Sequence, residues 1–383
     1  MWKTIKYNLI VLLVLIVLIE IILQFFPVPN PYESVKKNMF IYAIENMYIE
    51  SQFDPNLQLQ FSTEEGLLGF ETYKDTTSFT INNVGFRGDE LKMPKPNNEY
   101  RIFAIGGSST ESLYIDDADV WTRVLQENLN QNQYQNKTVK VYNAGKSGDN
   151  IQDHIAMLAH RIIHLQPDEV IVFCGINDVT RLLLDDNPLK FNITEKKEES
   201  DIGFVQMLGV FIYEFQIPRR LYYAFKTEED VLETIEIQSD YAKKVKKTQA
   251  RPVENQLPST DYGNYANKLK SLIGICQAND IKLIFATQVV TWDTEEEALQ
   301  NWHWMTSRGG IRYNAKKLQQ KVDSINAITI QESAKFAVPV FKTDSIIPKT
   351  SAYLYDDCHF NPAGNKKMGD ALAKFLKTLN QNQ

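Results

Sequence analysis

The chain has 383 residues, of which 43% are hydrophobic and 23% charged, so it has enough material for one large folded domain with insertions or for two domains. Its net charge is −7 at pH 7, which argues against a nucleic-acid partner. The three cysteines, Cys174, Cys276 and Cys358, form neither a disulfide framework nor a paired metal-binding spacing.

The N-terminal segment, residues 1–26, predicts a membrane-spanning helix. Lys3 and Lys6 precede an unbroken apolar run of 11 residues that starts at Leu9. As a helix, the part from residue 5 onward would be about 33 Å long, which is enough for a bilayer core. The alternative is a cleaved signal peptide, but Phe25–Pro29 offers no small-x-small cleavage site. We therefore predict an uncleaved anchor, with its N-terminus in the cytoplasm and the remaining chain outside.

Residues 27–99 are predicted to form a membrane-proximal extension. Glu33–Gln52 is compatible with a helix, and Phe79–Arg87 with an extended segment that ends in a turn at Gly85. The part from residue 33 to residue 99 carries too many large apolar side chains for a solvated linker. We expect it to pack against the domain that follows.

From residue 100 to residue 383 the pattern alternates between strands and helices. The predicted strands are Ile102–Ile105, Val139–Asn143, Glu169–Cys174, Ile281–Ala286 and Val338–Phe341. The predicted helices are Ile151–Leu165, Tyr265–Gln277, Tyr313–Lys335 and Pro362–Leu379. This alternation predicts an α/β domain with a parallel, doubly wound sheet. Residues 179–260 interrupt the rhythm and are predicted to be an insertion, in the form of a helical cap over the site.

Chemically apt residues follow the strands of this predicted sheet. Ser108 comes after the first strand, Gly148 after the second and Asn177 after the third. Asp356 and His359 lie between the last strand and the last helix. In a parallel sheet, all five converge on the carboxyl edge, where α/β proteins place their ligands.

These residue types fit nucleophilic catalysis. A serine hydroxyl such as that of Ser108 is a weak nucleophile until a base takes its proton, and His359 can act as that base near neutral pH. Asp356 can orient the imidazole and stabilise its cation. The backbone N–H groups of Ser108 and Gly148 and the amide of Asn177 are candidate oxyanion donors. The plain alternative for Ser108 alone is a helix N-cap after a glycine turn.

The order of these motifs resembles the SGNH hydrolase superfamily, also called GDSL esterases and lipases. The matching blocks are Gly106-Gly-Ser-Ser-Thr110, the glycine loop Asn143–Asp149, Gly175-Ile-Asn-Asp178 and Asp356-Asp-Cys-His359. The resemblance covers roughly residues 100–180 and 280–380. A weaker similarity to membrane-anchored bacterial members lies in Asn83–Gly88 and at Ala286–Gln288.

The resemblance implies roles for individual residues. It assigns Ser108 as the nucleophile, His359 as the base and Asp356 as its orienting acid, with Ser108, Gly148 and Asn177 around the oxyanion. It also implies a flavodoxin-like three-layer α/β/α fold that uses no metal and no cofactor. One departure is that the aspartate usual before the serine is Gly107 here.

A histidine series offers a competing interpretation. His154, His160 and His164 fall on one predicted helix, and the last two share a face at a spacing that a zinc pair requires. With no third ligand evident nearby, a solvated helix face is the better prediction for these histidines.

Together these observations predict a serine esterase that is anchored in the cell membrane, with its catalytic domain on the extracytoplasmic side. Its partner would be an acylated envelope carbohydrate or lipid, from which it removes an acyl group such as acetyl. One alternative keeps the same serine but transfers the acyl group to a polysaccharide hydroxyl. Another is a catalytically inactive domain that binds polysaccharide.

Overall fold

The computed structural model describes residues 2–28, 53–62, 67–184, 211–224, 234–236, 253–258, 262–296, 299, 303, 305 and 312–381. The predicted helix Glu33–Gln52 and most of the insertion 179–260 lie outside these ranges. Contacts divide the chain into two units. The helical unit comprises residues 1–47 and 191–233, and the sheet unit comprises residues 48–190 and 234–383.

The described part of the chain contains ten strands. In chain order they are β1 (Gln58–Ser62), β2 (Thr76–Thr80), β3 (Glu99–Gly106), β4 (Thr138–Gly145), β5 (Glu169–Phe173), β6 (Thr234–Glu236), β7 (Val253–Glu254), β8 (Lys282–Ala286), β9 (Arg312–Tyr313) and β10 (Val340–Phe341). Five of them form a parallel sheet in the order β10-β8-β5-β3-β4. This is the flavodoxin-like strand order, in which the chain winds first to one side of β3 and then to the other.

The central strand β3 is buried along its whole length, as a parallel strand covered on both faces must be. The register of the sheet aligns the ends of β3 and its two neighbours: Gly106 lies opposite Gly145 of β4 and opposite Phe173 of β5. The carboxyl ends of three strands are therefore level. Whatever follows them begins at the same edge of the sheet.

Helices cover both faces of this sheet. The described helices are Trp2–Leu23, Ser108–Glu111, Trp121–Gln131, Ile151–His160, Ile176–Leu184, Gln216–Ala224, Gly263–Ala278, Ala315–Lys335, Thr343–Ile346 and Pro362–Gln381. Phe103 and Ile105 of β3 face a core that includes residues of the helices Ile151–His160, Gly263–Ala278 and Ala315–Lys335. Ile102 and Ala104 point the other way, toward Trp121–Gln131 and Pro362–Gln381. The expected three-layer α/β/α fold is confirmed.

Two details of the helices differ from the sequence prediction. The helix predicted over Ile151–Leu165 ends at His160 and continues as a 3₁₀ turn. His154 lies on its inner face and is fully buried, so the expected solvated face was wrong for this residue. Burial lowers the pKa of His154 to about 3 and keeps its ring neutral.

The helix Trp121–Gln131 was not predicted. Trp121, Leu125 and Leu129 recur every fourth residue and are completely buried, so the sequence does carry an amphipathic signal here.

The segment before β3 packs onto the sheet unit where it is described. β1 pairs antiparallel with β2 and parallel with β6. The chain then turns at Gly85, whose φ of +85° favours glycine. Arg87 pairs with Asn143 of β4 through two backbone hydrogen bonds of 3.0 and 2.8 Å. Phe70 and Phe86 enter the cores on opposite faces of the sheet.

In the helical unit, Trp2–Leu23 is the main element. Its 20 residues Thr4–Leu23 are predominantly apolar, with a mean hydropathy of 2.6, and none of them is buried. A helix of this length is about 30 Å long, the thickness of a bilayer core. A membrane anchor and a signal peptide both have these properties.

Candidate active site

The turn after β3 places Ser108 at the carboxyl edge of the sheet. β3 ends at Gly106, and Ser108 opens the short helix Ser108–Glu111. Gly107 between them has a φ of −84° and a ψ of −151°, which any residue can adopt. However, a Cβ at Gly107 would lie only 2.7 Å from Nδ2 of Asn177. The glycine therefore leaves room for the Asn177 amide beside the serine, and a larger residue would make this amide shift.

His359 links Ser108 to Asp356. Its Nε2 lies 2.7 Å from Oγ of Ser108, and its Nδ1 lies 2.6 Å from Oδ2 of Asp356. The other carboxylate oxygen of Asp356 accepts the backbone N–H groups of Cys358 at 2.9 Å and of His359 at 2.7 Å. Asp356 is completely buried. The backbone N–H groups hold one oxygen of the carboxylate, and the other oxygen contacts Nδ1 of His359. The imidazole is therefore held in one orientation, with Nε2 directed at the serine.

The surroundings of His359 favour its cation. Burial lowers the pKa of His359, but the charge and the hydrogen bond of Asp356 outweigh it, and the net shift raises the pKa. The ring of Tyr355 stacks on the imidazole, nearly parallel, with 5.4 Å between the ring centroids. A base with a raised pKa, held against a hydroxyl, is suited to taking a proton and returning it.

Asn177 and Gly148 lie beside Ser108. Asn177 is in the first turn of the helix Ile176–Leu184, rather than in the loop after β5, and its Nδ2 donates to the carbonyl of Asp149 at 2.9 Å. Gly148 has a φ of +89°, and a Cβ there would point into open space. The loop that carries Gly148 ends at Asn150, whose side chain caps the helix Ile151–His160. Asn177 thus lies within one helix and Gly148 just before another, and both helices begin at this edge of the sheet.

A cavity of about 300 Å³ opens over these groups. It is lined by Ser108, Glu111, Leu113, Tyr114, Ser147, Gly148, Asn177, Tyr355, Asp356 and His359. Ser108 follows β3 and Asn177 follows β5, the two strands between which the winding direction of the chain reverses. Such a switch point is where open α/β sheets form their ligand crevice. The structure thus brings all five residues that the sequence singled out to one cavity.

The sequence also matches a family of known proteins. Residues 102–372 match the model of the GDSL-like lipase/acylhydrolase family. The chain belongs to this family. It is accordingly a hydrolase that acts on ester bonds. No match was found among curated proteins.

Two solved structures illustrate what this GDSL-like protein is similar to. An acetylxylan esterase, Axe2 from Geobacillus stearothermophilus, is 14% identical, with a TM-score of 0.41, over 72% of this chain and 94% of its own. LAE5, an alpha/beta hydrolase enzyme from the metagenome of Lake Arreo, Spain, is 13% identical, with a TM-score of 0.40, over 73% of this chain and 96% of its own.

A second carboxyl group, not predicted from the sequence, lines the cavity of this GDSL-like protein. Glu111 is only 3% exposed and accepts a hydrogen bond from the hydroxyl of Ser147. Burial raises the pKa of Glu111, although Ser147 and Lys146 oppose the shift. The signal was available, since Glu111 is one helical turn after Ser108 and shares its face.

Metal-type ligand atoms also occur at the site. One atom each from Asp356, Asp357, Cys358 and His359 lie within 4.8 Å of one another. Hydrogen bonds already use the carboxylates: Asp356 accepts from His359, and Asp357 accepts from Nε1 of Trp292 at 2.9 Å. Asp356 thus contacts the imidazole, and Asp357 is held by Trp292 on the other side of the same loop.

Proposed function

We propose that this protein is a serine esterase that uses Ser108, His359 and Asp356 to remove acyl groups from an envelope carbohydrate or lipid. The observation that carries the proposal is the hydrogen-bonded chain from Ser108 through His359 to Asp356, with distances of 2.7 and 2.6 Å. The hydroxyl, the base and the orienting acid are all within the reach that proton transfer requires. An inactive binding domain would have no need of this alignment.

In the first half of the reaction, Oγ of Ser108 attacks the ester carbonyl carbon while Nε2 of His359 takes the hydroxyl proton. The tetrahedral oxyanion is stabilised by the N–H groups of Ser108 and Gly148 and by the amide of Asn177. When the intermediate collapses, the bond to the alcohol oxygen breaks, and His359 gives its proton to the leaving alcohol. The acyl group remains on Ser108.

In the second half, water replaces the alcohol. His359 takes a proton from the water as its oxygen attacks the acyl carbon, and then returns a proton to Oγ of Ser108. The products are a carboxylic acid and the free enzyme. Asp356 stabilises the imidazolium during each half of the reaction.

The cavity supports a small acyl group. Its volume of about 300 Å³ is at the low end of ligand pockets, and Leu113, Tyr114 and Tyr355 provide its apolar wall. An acetyl or another short acyl chain would fit beside Ser108, with the alcohol part of the substrate outside. The N-terminal apolar helix supports a location at the cell membrane, with the sheet unit on the extracytoplasmic side.

The full chain in detergent provides the test. It should hydrolyse p-nitrophenyl acetate and be labelled by a fluorophosphonate probe, and Ser108→Ala should lose both properties. Ser109→Ala is a matched control, because the Ser109 hydroxyl donates to the carbonyl of Cys358 instead of facing the base. Labelling that persists in Ser108→Ala and disappears in Ser109→Ala would refute the proposal. Product analysis with a glycan acceptor would show whether the acyl group goes to water or to a sugar hydroxyl.

A further inference from the structure

A second apolar surface lies in the helical unit, on a segment that is distant in sequence from the first helix. The segment 211–224 ends in the helix Gln216–Ala224. Four of its large apolar side chains are between 43% and 57% exposed, namely Phe211, Ile212, Phe215 and Leu221. So much apolar area on one short segment is unusual for a surface that faces water.

Glu20 ties this segment to the first helix. The carboxylate accepts the backbone N–H of Gln216 at 2.6 Å and that of Ile217 at 3.0 Å, and the side-chain amide of Gln24 at 2.7 Å. An ionised group inside an apolar span is costly unless it is paired. Here the first N–H groups of the helix Gln216–Ala224 donate to the Glu20 carboxylate, and the positive end of the helix dipole adds to the attraction. The contact accounts for an acidic residue in an otherwise apolar run.

The contacts of Glu20 also fix the position of the helix Gln216–Ala224 along the axis of the helix Trp2–Leu23. Glu20 lies three residues before Leu23, where the apolar span ends, so it is about 4.5 Å inside that end. Two further hydrogen bonds join this helix to the chain just after the span: the N–H of Val28 donates to the Gln216 side chain at 2.9 Å, and Arg219 donates to the carbonyl of Val28 at 3.1 Å. If the span crosses a bilayer, the start of the helix Gln216–Ala224 is held at the boundary of the hydrocarbon core.

The composition of the segment fits this boundary. Tyr213 and Tyr222 pack edge to face with 5.5 Å between their ring centroids, and aromatic residues with a polar end are enriched at membrane interfaces. The side chain of Arg220 donates to the carbonyl of Phe26, just after the span. Arginines at this level can keep their apolar stems in the interface while their charged ends reach the headgroups.

We propose that residues 211–224 are a second membrane-contacting element, whose apolar side chains enter the boundary of the leaflet at the C-terminal end of the first helix. The occupant of the exposed apolar surface is therefore lipid. The proposal rests on the proposed membrane location of the protein. It assigns to part of the insertion a role in holding the enzyme at the bilayer.

Site-directed fluorescence on the full chain tests the proposal. Phe215→Cys and Leu221→Cys would each carry an environment-sensitive maleimide dye, and the protein would be reconstituted into phosphatidylcholine vesicles. The native cysteines are buried, so the unsubstituted chain is the control for background labelling. Val14→Cys reports on the middle of the span, and Lys374→Cys, on an exposed helix position of the sheet unit, reports on water. Hydrolysis of p-nitrophenyl acetate verifies that each variant is folded.

We expect dyes at positions 215 and 221 to emit at shorter wavelength than the dye at 374, to be quenched by shallow doxyl lipids and to be protected from iodide. Dyes at 215 and 221 that iodide quenches as it does the dye at 374, while the dye at 14 is protected, would overturn the proposal and leave the membrane span intact. Protection of 215 and 221 without quenching by doxyl lipid would mean that protein covers the surface, which also overturns it. Iodide access at position 14 would instead refute the span itself.

Discussion

At the scale of single residues, the proposed roles of His359 as base and Asp356 as its partner predict how the activity depends on pH. The base must be neutral to accept the serine proton, and the pKa of His359 is raised above its ordinary value of 6.5. The protonated fraction of His359 therefore grows as the pH falls through this raised pKa. We expect kcat/KM to fall with it, along an acidic limb centred above pH 6.5.

The variant Asp356→Asn should change this profile in two ways. Without this negative charge, burial is opposed only by the smaller effects of Asp357 and Glu111 on the pKa of His359, so the acidic limb should move to lower pH. The maximal rate should fall by about 10⁴-fold, because the tautomer and the imidazolium both lose their support. A pH–rate profile of the full chain with p-nitrophenyl acetate checks both effects. An acidic limb at the same pH as in the unsubstituted enzyme would show that Asp356 does not control the base.

Gly107 provides a separate test of the Asn177 amide. The methyl group of Gly107→Ala would displace Nδ2 of Asn177 from beside Ser108, since the two atoms would otherwise be 2.7 Å apart. Loss of one oxyanion donor typically costs about 10²–10³-fold in kcat. We expect this loss with little change in the urea midpoint, because the alanine can adopt the backbone conformation of Gly107.

The matched control for Gly107→Ala is Gly274→Ala. A Cβ at Gly274 meets nothing within 4 Å, and the residue lies in the helix Gly263–Ala278. Alanine should stabilise this helix by up to about 1 kcal/mol and leave kcat unchanged. Equal kcat values for both variants and the unsubstituted enzyme would remove Asn177 from the proposed oxyanion site.

At the scale of elements, Arg87 joins the segment before β3 to the loop after Ser108. Its guanidinium pairs with Asp117 at 2.7 Å and donates to the carbonyls of Glu111 at 3.0 Å and Ser112 at 2.9 Å. Arg87 is only 3% exposed. One cation therefore satisfies carbonyls at the end of the helix Ser108–Glu111 that have no partner within that helix.

Replacing Arg87 with methionine should lower the free energy of unfolding by about 3 kcal/mol, because buried carbonyls would lose their donor at a cost of about 1–3 kcal/mol each. The partly exposed carboxylate of Asp117 would also lose its ion pair. Urea titration followed by fluorescence measures the loss. Lys74→Met is the control: Lys74 pairs with Asp116 at 2.8 Å, but its side chain is 44% exposed, so the pair should contribute at most about 1 kcal/mol. Equal midpoints for the two variants would contradict this account of Arg87.

The elements of the sheet unit differ in how far the sequence predicts them. The five strands of the central sheet were foreseen because short apolar runs alternate with helical patterns, and glycines follow three of these runs. The convergence of Ser108, Asn177 and His359 follows from parallel strands. The small sheet of β1, β2 and β6 was not foreseen. β6 lies more than 150 residues after β2, and pairing between such distant short segments leaves no local pattern. The contact between Gly107 and Asn177 was equally invisible, since it depends on side-chain placement.

At the scale of the whole molecule, the helix Trp2–Leu23 separates two predicted locations of the enzyme. If it is an uncleaved anchor, the mature protein should stay in the membrane fraction after alkaline carbonate extraction and should retain Lys3 and Lys6. N-terminal sequencing of the purified protein, with a periplasmic or secreted esterase as the extractable control, measures this. A mature chain that starts after residue 26 and is released by carbonate would show a signal peptide instead.

The pairing of Arg87 with Asn143 has a consequence for how molecules of this enzyme behave toward one another. Within the described residues, β4 is the last strand on its side of the central sheet, and residue 87 occupies backbone groups at its carboxyl end. An open strand edge is a template for pairing with another chain. A shortened enzyme that begins at residue 100 would keep the whole region matched by the family, yet would uncover this edge and the apolar contacts of Phe86. We expect such a protein to self-associate into aggregates, so the smallest soluble catalytic fragment should include the segment that carries Arg87.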